Sequence, residues 1–181
     1  MDANDEAGTL TPPVSDRDHA AGAAAAVTLV EYGDYECPSC GAAHPVVQEI
    51  RRRLGDQMRF VFRNFPLTQI HPHAERAAEA AEAAGAQDRF WEMHDRLYEH
   101  QDRLGDGDLV GHAEALGLDV GRFSQDLDGG VFAPRVREDF LGGVRSGVNG
   151  TPTFFVDGRR HDDSWDFETL LAAVEGAMRE R

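Results

Sequence analysis

Runs of apolar residues early in the chain predict two strands separated by a helix. Residues Val27 to Tyr32 are mostly β-branched or apolar, as in a buried strand. The stretch from Pro38 to about Arg53 carries apolar residues at helical spacing, and Gly55-Asp56 after it predicts the helix end. Met58 to Phe65 predicts a second strand, which Pro66 ends. We expect this strand–helix–strand unit to form a parallel, right-handed crossover.

The middle of the chain, from about His73 to Val148, has the pattern of several helices. The first of them is rich in alanine, and Glu75, Glu79 and Glu82 are predicted to mark its solvent-exposed face. An apolar stripe at helical spacing follows, and it contains His94, which we interpret as a hydrogen-bonded core histidine.

Strand character returns near the C-terminal end of the sequence at Thr153 to Val156. Asp157-Gly158 follows directly and predicts a two-residue hairpin turn. A last helix is expected from Asp166 to about Met178. The order of these elements predicts an α/β fold in which a helical insertion separates the two halves of a small mixed sheet.

The domain organisation follows from the same pattern. Residues 1–24 contain Pro12-Pro13, several Asp residues and an Ala/Gly tract, and we predict a disordered lead-in. Residues 25–70 are predicted to form the first half of the sheet domain, residues 71–148 the helical insertion and residues 149–181 the second half. A length of 181 residues fits one such domain.

Charge and hydropathy narrow the classes of function. The net charge is −15, from 33 acidic residues and 18 basic residues that are all arginine, so the chain would repel nucleic-acid phosphates. No apolar run approaches the ~18 residues of a membrane-spanning helix. Met1 to Glu6 is acidic where a secretory signal has a basic region. We therefore expect a cytoplasmic protein without nucleic-acid partners or membrane insertion.

The only two cysteines form the motif Cys37-Pro38-Ser39-Cys40, at the predicted junction of the first strand and its helix. A helix N-terminus offers backbone N–H groups and a positive dipole, which stabilise a thiolate. In such motifs the pKa of a thiol falls from about 8.5 to roughly 3.5–7.5. We predict that Cys37, at the helix start and partly exposed, is the attacking thiol. Cys40, in the first helical turn, would resolve the mixed disulfide.

The same cysteines allow a second interpretation, a metal site. Structural zinc usually needs four Cys or His ligands, and His71 and His73 would complete such a set with Cys37 and Cys40. We favour redox chemistry, because these two histidines are the only nearby candidates in the sequence to complete a zinc ligand set. Two cysteines at a catalytic spacing, with none left for structural bridges, also fit a reducing compartment. We predict neither a resident metal ion nor a bound cofactor.

Three further segments are candidate parts of the site. Gly150-Thr151-Pro152-Thr153 places a proline just before a strand, which is a natural position for a cis peptide bond. Glu31 lies on the first predicted strand, six residues before Cys37. It is either a buried acid that relays protons to or from Cys40, or a surface acid at a sheet edge. His44, one turn beyond Cys40, is predicted to be partly exposed.

Taken together, these motifs resemble those of the DsbA-like thioredoxin-fold family. The resemblance covers roughly Asp18 to Met178. It is carried by five segments: Val27 to Cys40, Arg63 to Leu67, His71 to Ala74, Phe90 to His94 and Gly150 to Phe155. In particular, the chain resembles the branch that also occurs as a domain fused to bacterial sodium/proton antiporters.

The resemblance implies a thioredoxin fold with an inserted helical subdomain and the activity of a protein-disulfide oxidoreductase. It implies that Cys37 attacks and that Cys40 is buried, with Pro38 and Ser39 as the spacer. Pro152 would be a cis-proline facing the disulfide, Thr151 would hydrogen-bond a substrate peptide, and Glu31 would be the buried acid. Ser39 stands where strongly oxidising members carry His, which predicts a weaker oxidant.

The sequence therefore predicts exchange of disulfides with protein or peptide thiols, together with a redox partner that it does not identify. An alternative on the same fold is a redox-sensing or holdase-type binding module, which would be oxidised stoichiometrically without turnover. A glutathione-dependent transferase is a further alternative on this fold, but an intact Cys-X-X-Cys motif favours disulfide exchange.

Overall fold

A computed structural model describes residues 8–24 and 26–181. The strands are β1 (His19–Ala21), β2 (Val27–Gly33), β3 (Met58–Asn64), β4 (Thr153–Val156) and β5 (Arg159–His161). The helices are α1 (Pro38–Leu54), α2 (Ala74–Gly85), α3 (Phe90–Glu99), α4 (Asp106–Ala115), α5 (Val120–Asp128), α6 (Ala133–Arg145) and α7 (Phe167–Arg179). A short 3-10 helix, Gly55–Gln57, follows α1.

The strands of the described residues form one sheet in the order β1-β3-β2-β4-β5. All seven residues of β2 are buried, as its apolar, β-branched sequence predicts for a central strand. β2 and β3, the two strands joined by α1, are neighbours in the sheet, and β4 pairs antiparallel with the other edge of β2. The predicted α/β fold is confirmed.

The predicted hairpin is also confirmed. β4 and β5 are antiparallel, and Asp157 and Gly158 connect them with φ angles of +46° and +83°. A two-residue turn of type I′ needs positive φ at both central positions, which Asp and Gly tolerate better than most residues.

Residues 8–24 differ from the predicted disordered lead-in. β1 pairs antiparallel with β3, and Thr9 forms an isolated bridge with Arg159. Asp18 accepts hydrogen bonds from Arg63 at 2.8 Å and 3.0 Å, and both side chains are buried. Strand pairing and a distant arginine therefore hold a polar segment whose own composition resembles that of a disordered chain. Residues 1–7, the rest of the predicted lead-in, lie outside the described residues.

The chain separates into two compact units. The first, which we call the sheet unit, comprises the described residues up to 33 together with residues 42–63 and 141–181. The second, which we call the helical unit, comprises residues 34–41 and 64–140. The helical unit therefore contains most of the predicted insertion, residues 71–148, and in addition the segment that carries both cysteines.

The helical unit buries a face of α2 that the sequence predicted to be exposed. Glu79 and Glu82 are each only 4 % exposed, so the prediction of a solvent-exposed face was wrong for these two residues. α2 packs against α3, α4 and α5, which leaves little of its surface for solvent. Arg76 lies 3.8 Å from Glu79 and Arg135 lies 3.5 Å from Glu82, so arginines partner the buried carboxylates.

In the described part of the chain, no helix combines the length and the apolar character needed to cross a bilayer.

Candidate active site

The motif Cys37-Pro38-Ser39-Cys40 forms the first turn of α1. The helix begins at Pro38, and the carbonyl of Cys37 accepts the first helical hydrogen bond from the N–H of Gly41 at 3.0 Å. Cys37 is therefore the N-cap residue, Pro38 occupies the first helical position and Cys40 the third. Proline suits that first position because its missing N–H has no helical partner to lose.

The cysteines and the spacer differ in exposure. Cys40 is fully buried, as predicted, while Pro38 and Ser39 are exposed. Cys37 is only 6 % exposed, so the prediction that it is partly exposed was wrong. The sequence locates the helix start but gives no sign of the long-range contacts that hold residues 34–41 in the helical unit.

Two carboxylates tie the segment before the cysteines to the loop after β3. Asp34 is fully buried, and its Oδ2 accepts hydrogen bonds from the N–H of Leu67 at 2.9 Å and from Nδ1 of His71 at 2.7 Å. Its Oδ1 accepts from the N–H of Glu36 at 2.8 Å. The carboxylate of Glu36 in turn lies 2.8 Å from Nδ1 of His73.

These contacts give His71 and His73 a role other than zinc binding. Each ring directs Nδ1 at a carboxylate of residues 34–36. Among residues 8–24 and 26–181, no three of Cys37, Cys40, His71 and His73 bring their ligand atoms within 4.8 Å of one another. The geometry therefore does not assemble the four-ligand set that the sequence allowed.

The far side of the segment is held by α3 and the turn after it. The hydroxyl of Tyr35 lies 2.9 Å from Nδ1 of His94, a buried histidine, which confirms its interpretation as a core residue. Nε2 of Gln101 donates hydrogen bonds to the carbonyls of Tyr35 at 2.9 Å and Cys37 at 2.8 Å. Residues 34–41 are thus fixed within the helical unit from both sides.

Glu31 lies on β2 in the sheet unit. It is 2 % exposed, and its partner in the antiparallel pairing is Phe154 of β4. Because β2 lies inside the sheet, the interpretation of Glu31 as a surface acid at a sheet edge is wrong.

Thr151 and Pro152 precede β4, also in the sheet unit. Their peptide bond is cis, and the hydroxyl of Thr153 donates to the carbonyl of Gly150 at 2.7 Å. Thr153 pairs with Tyr32, so this loop lies beside the C-terminal end of β2. Pro152 also lines a cleft with Arg160, His161 and Trp165, among others.

His44, on α1 in the sheet unit, was predicted to be partly exposed, but it is buried. Burial, with Arg51 adding to it, lowers the pKa of His44 to about 4. The ring is therefore neutral at physiological pH and supplies no positive charge to stabilise a thiolate.

Asp34 and Gln101 are among the residues that hold the cysteine segment and that sequence reasoning missed. Asp34 carries a local signal, because an Asp whose side chain accepts from the N–H two residues later is a common turn in loops that lead into helices. Gln101 carries none, because it lies 64 residues from Cys37 and only the packed structure brings them together.

Comparisons with known proteins agree with this architecture. The thioredoxin family model matches residues 15–176, and the chain therefore belongs to the thioredoxin family. A relative from Salinispora arenicola, named Na(+)/H(+) antiporter NhaA 1, is 52 % identical over 93 % of this chain. The chain spans about a quarter (26 %) of the length of that antiporter, as expected of a fused domain.

Solved structures show the same fold. BdbD from Bacillus subtilis, in its oxidised form, has a TM-score of 0.82 and 25 % identity, and the match covers 95 % of this chain and 98 % of BdbD. A thioredoxin-like oxidoreductase from Silicibacter pomeroyi has a TM-score of 0.78 and 27 % identity, with 92 % and 95 % covered. The thiol-disulfide exchange protein alpha-DsbA2 of Wolbachia pipientis, at 18 % identity, shares the fold with a TM-score of 0.74 over 92 % and 88 %. The resemblance to DsbA-like thioredoxin-fold proteins is confirmed.

Proposed function

We propose that the chain is a thiol–disulfide oxidoreductase that exchanges disulfides with protein or peptide substrates through Cys37 and Cys40. The observation that carries the proposal is the position of the two cysteines at the N-cap and in the first turn of α1. The N-cap side chain is the one that backbone N–H groups of the first turn can reach, so a Cys37 thiolate there gains hydrogen bonds and the favourable end of the helix dipole.

The exchange needs only thiols and disulfides. In the oxidising direction, a substrate thiolate attacks Sγ of Cys37 in the Cys37–Cys40 disulfide, and Cys40 leaves as a thiolate. A second substrate thiolate then attacks the substrate sulfur of the mixed disulfide and releases the Cys37 thiolate. Two electrons pass from the substrate to the protein, and the reducing direction is the reverse of these steps.

The remaining predicted residues take supporting roles in this proposal. Pro38 and Ser39 form the exposed spacer beside Cys37, and a substrate approaches the site there. Glu31, buried on the central strand β2, relays protons to or from Cys40. The loop at Thr151 and Pro152 binds an extended substrate segment by strand-like pairing.

Two single substitutions test the proposal. Cys37→Ser is expected to abolish turnover in an assay in which the protein reduces or oxidises a disulfide-containing peptide in excess. Cys40→Ser is expected to trap mixed disulfides, because the resolving thiol is gone. Turnover by Cys37→Ser at the parent rate would contradict the assignment.

The same assay separates catalysis from redox sensing. A catalyst converts many equivalents of peptide in the presence of glutathione, whereas a sensor or holdase module stops after one equivalent. Stoichiometric oxidation alone would favour the binding module.

A further inference from the structure

We propose that Gln101 is the positioning residue for the attacking cysteine: its side-chain amide holds the N-cap carbonyl of α1 and so keeps the Cys37 thiolate in line with the backbone N–H groups of the first helical turn. This inference rests on the proposed function, because it concerns the reactivity of the same thiol.

The hydrogen bonds of Gln101 fix the backbone on both sides of Glu36. One N–H of Nε2 donates to the carbonyl of Tyr35 at 2.9 Å, and the other donates to the carbonyl of Cys37 at 2.8 Å. Because both partners are carbonyl oxygens, only the NH₂ end of the amide can face them, so the orientation of the side chain is determined. The Cys37 carbonyl also accepts from the N–H of Gly41, and it therefore receives two donors.

Gly41 provides the space that Gln101 occupies. A Cβ placed on Gly41 would lie 2.9 Å from Nε2 of Gln101 and closer still to its Cδ and Oε1. A methyl group at position 41 would therefore displace the amide. Gly41 is not one of the described glycines with a positive φ angle. Contact with Gln101, and not backbone conformation, therefore accounts for the glycine at this position of α1.

The hydrogen bonds of Gln101 should stabilise the reduced form of the cysteine pair more than its oxidised form. A thiolate at the N-cap depends on correctly directed N–H groups, whereas a disulfide sulfur carries no charge and gains little from them. When the N-cap carbonyl loses its side-chain donor, the first turn can fray and the N–H groups lose their direction. The thiolate is then less stable, and the dithiol is oxidised more readily.

The first test compares two glutamine variants. Gln101→Met keeps the length of the side chain and removes its donors. Gln87→Met is the matched control, because Gln87 also makes two side-chain bonds to backbone, with the carbonyl and the N–H of Asp119, elsewhere in the helical unit. The equilibrium constant for oxidation by glutathione disulfide is expected to rise about three- to tenfold in Gln101→Met, which corresponds to at most about 30 mV. Gln87→Met should match the parent.

The second test uses Gly41→Ala, which keeps Gln101 but displaces its amide. In the parent background this substitution should shift the glutathione equilibrium in the same direction as Gln101→Met. In the Gln101→Met background it should cause little further shift, because the contact that it disrupts has already gone. The pH titration of the Cys37 thiolate, followed by its ultraviolet absorbance, should have a shifted midpoint in each variant whose equilibrium constant with glutathione shifts.

The outcomes distinguish this inference from the proposed function. If the parent exchanges with glutathione and both Gln101→Met and Gly41→Ala keep the parent equilibrium constant, Gln101 is only a structural residue and the inference is wrong. Equal shifts in Gln101→Met and Gln87→Met would also overturn it, because the effect would then be general loosening. A parent that shows no exchange at all would overturn the proposed function together with the inference.

Discussion

At the scale of the single residue, Asp139 is a buried acid whose carboxylate contacts Asn64 and Arg135. Its Oδ2 accepts from the backbone N–H and from Nδ2 of Asn64, both at 3.0 Å, and Nε of Arg135 lies 3.4 Å from Oδ1. Burial raises the pKa of Asp139 to about 6, although Arg135 and the hydrogen bonds from Asn64 oppose the shift. Asp139 therefore binds a proton more tightly in the folded protein than in the unfolded chain.

This difference predicts a pH dependence of stability. The contribution of Asp139 is fully present below about pH 4, where its unfolded form is also protonated, and is lost as the pH rises through about 6. The loss amounts to at most about 3 kcal/mol. Asp139→Asn should remove this pH-dependent loss. In urea unfolding, the stability of the variant relative to the parent should therefore increase from pH 4 to 6. A constant difference across that range would contradict the assignment.

Asp34 predicts a second residue-scale effect. Each of its carboxylate oxygens accepts a backbone N–H, so an Asn at this position must turn its NH₂ group towards one of them. Asp34→Asn should therefore lower the free energy of unfolding by about 1–3 kcal/mol. Glu36→Gln is the control, because Glu36 is half-buried and its carboxylate contacts His73. Equal losses in the two variants would show that the buried position of Asp34 is not decisive.

At the scale of the element, a buried ion pair contributes to holding the N-terminal segment with β1, beside the pairing of β1 with β3. Arg63 reaches Asp18 with two hydrogen bonds and also donates to the carbonyl of Pro12 and the hydroxyl of Tyr32. Both charged side chains are almost fully buried, at 4 % and 7 % exposure, so each needs the other.

Removing one partner of the Arg63–Asp18 pair should therefore lower the stability of the protein. Asp18→Ala is expected to lower the free energy of unfolding by about 3–5 kcal/mol, because it leaves the Arg63 guanidinium buried without its carboxylate. The double variant Asp18→Ala/Arg63→Met should recover part of that loss. Glu49→Ala breaks the exposed pair with Arg52 and should leave stability unchanged within error. A loss in Asp18→Ala no larger than in Glu49→Ala would contradict this account of β1.

Elements that neighbouring residues specify could be predicted from the sequence. Elements that depend on contacts between residues far apart in the sequence could not. Asp157-Gly158 and Pro38 specify a turn and a helix start through their own backbone preferences. β1 was missed because its ordering depends on pairing with β3 and on Arg63, which lies 45 residues from Asp18. The buried carboxylates of α2 were missed because three other helices cover that helix, which its own periodicity does not reveal.

The candidate site divides in the same way. Cys37 and Cys40 follow from a motif of four residues, so the sequence predicted their positions at the start of α1. Their burial and the hydrogen bonds of Gln101 depend on residues 34–41 packing within the helical unit. No pattern of neighbouring residues contains that information.

At the scale of the whole molecule, the net charge of −15 predicts a preference among substrates. Long-range attraction should favour cationic peptides over anionic peptides that carry the same disulfide. Raising the ionic strength from about 0.01 M to about 0.5 M shortens the screening length, so kcat/KM for a cationic peptide should fall severalfold. For an anionic peptide it should rise or stay constant. The same response in both peptides would show that charge does not guide the encounter.

The central claim is that Cys37 and Cys40 form one reversible redox pair, and the reduction potential tests it most directly. Equilibration of the parent with glutathione redox buffers, read by mass after trapping of the thiols, should show a single two-electron transition between the dithiol and an intramolecular disulfide. Because Ser39 provides no positive charge beside the thiolate, the potential should be more negative than the approximately −120 mV of strong oxidants, towards the approximately −270 mV of thioredoxin. A protein whose two cysteines do not interconvert as a pair with glutathione would contradict the account.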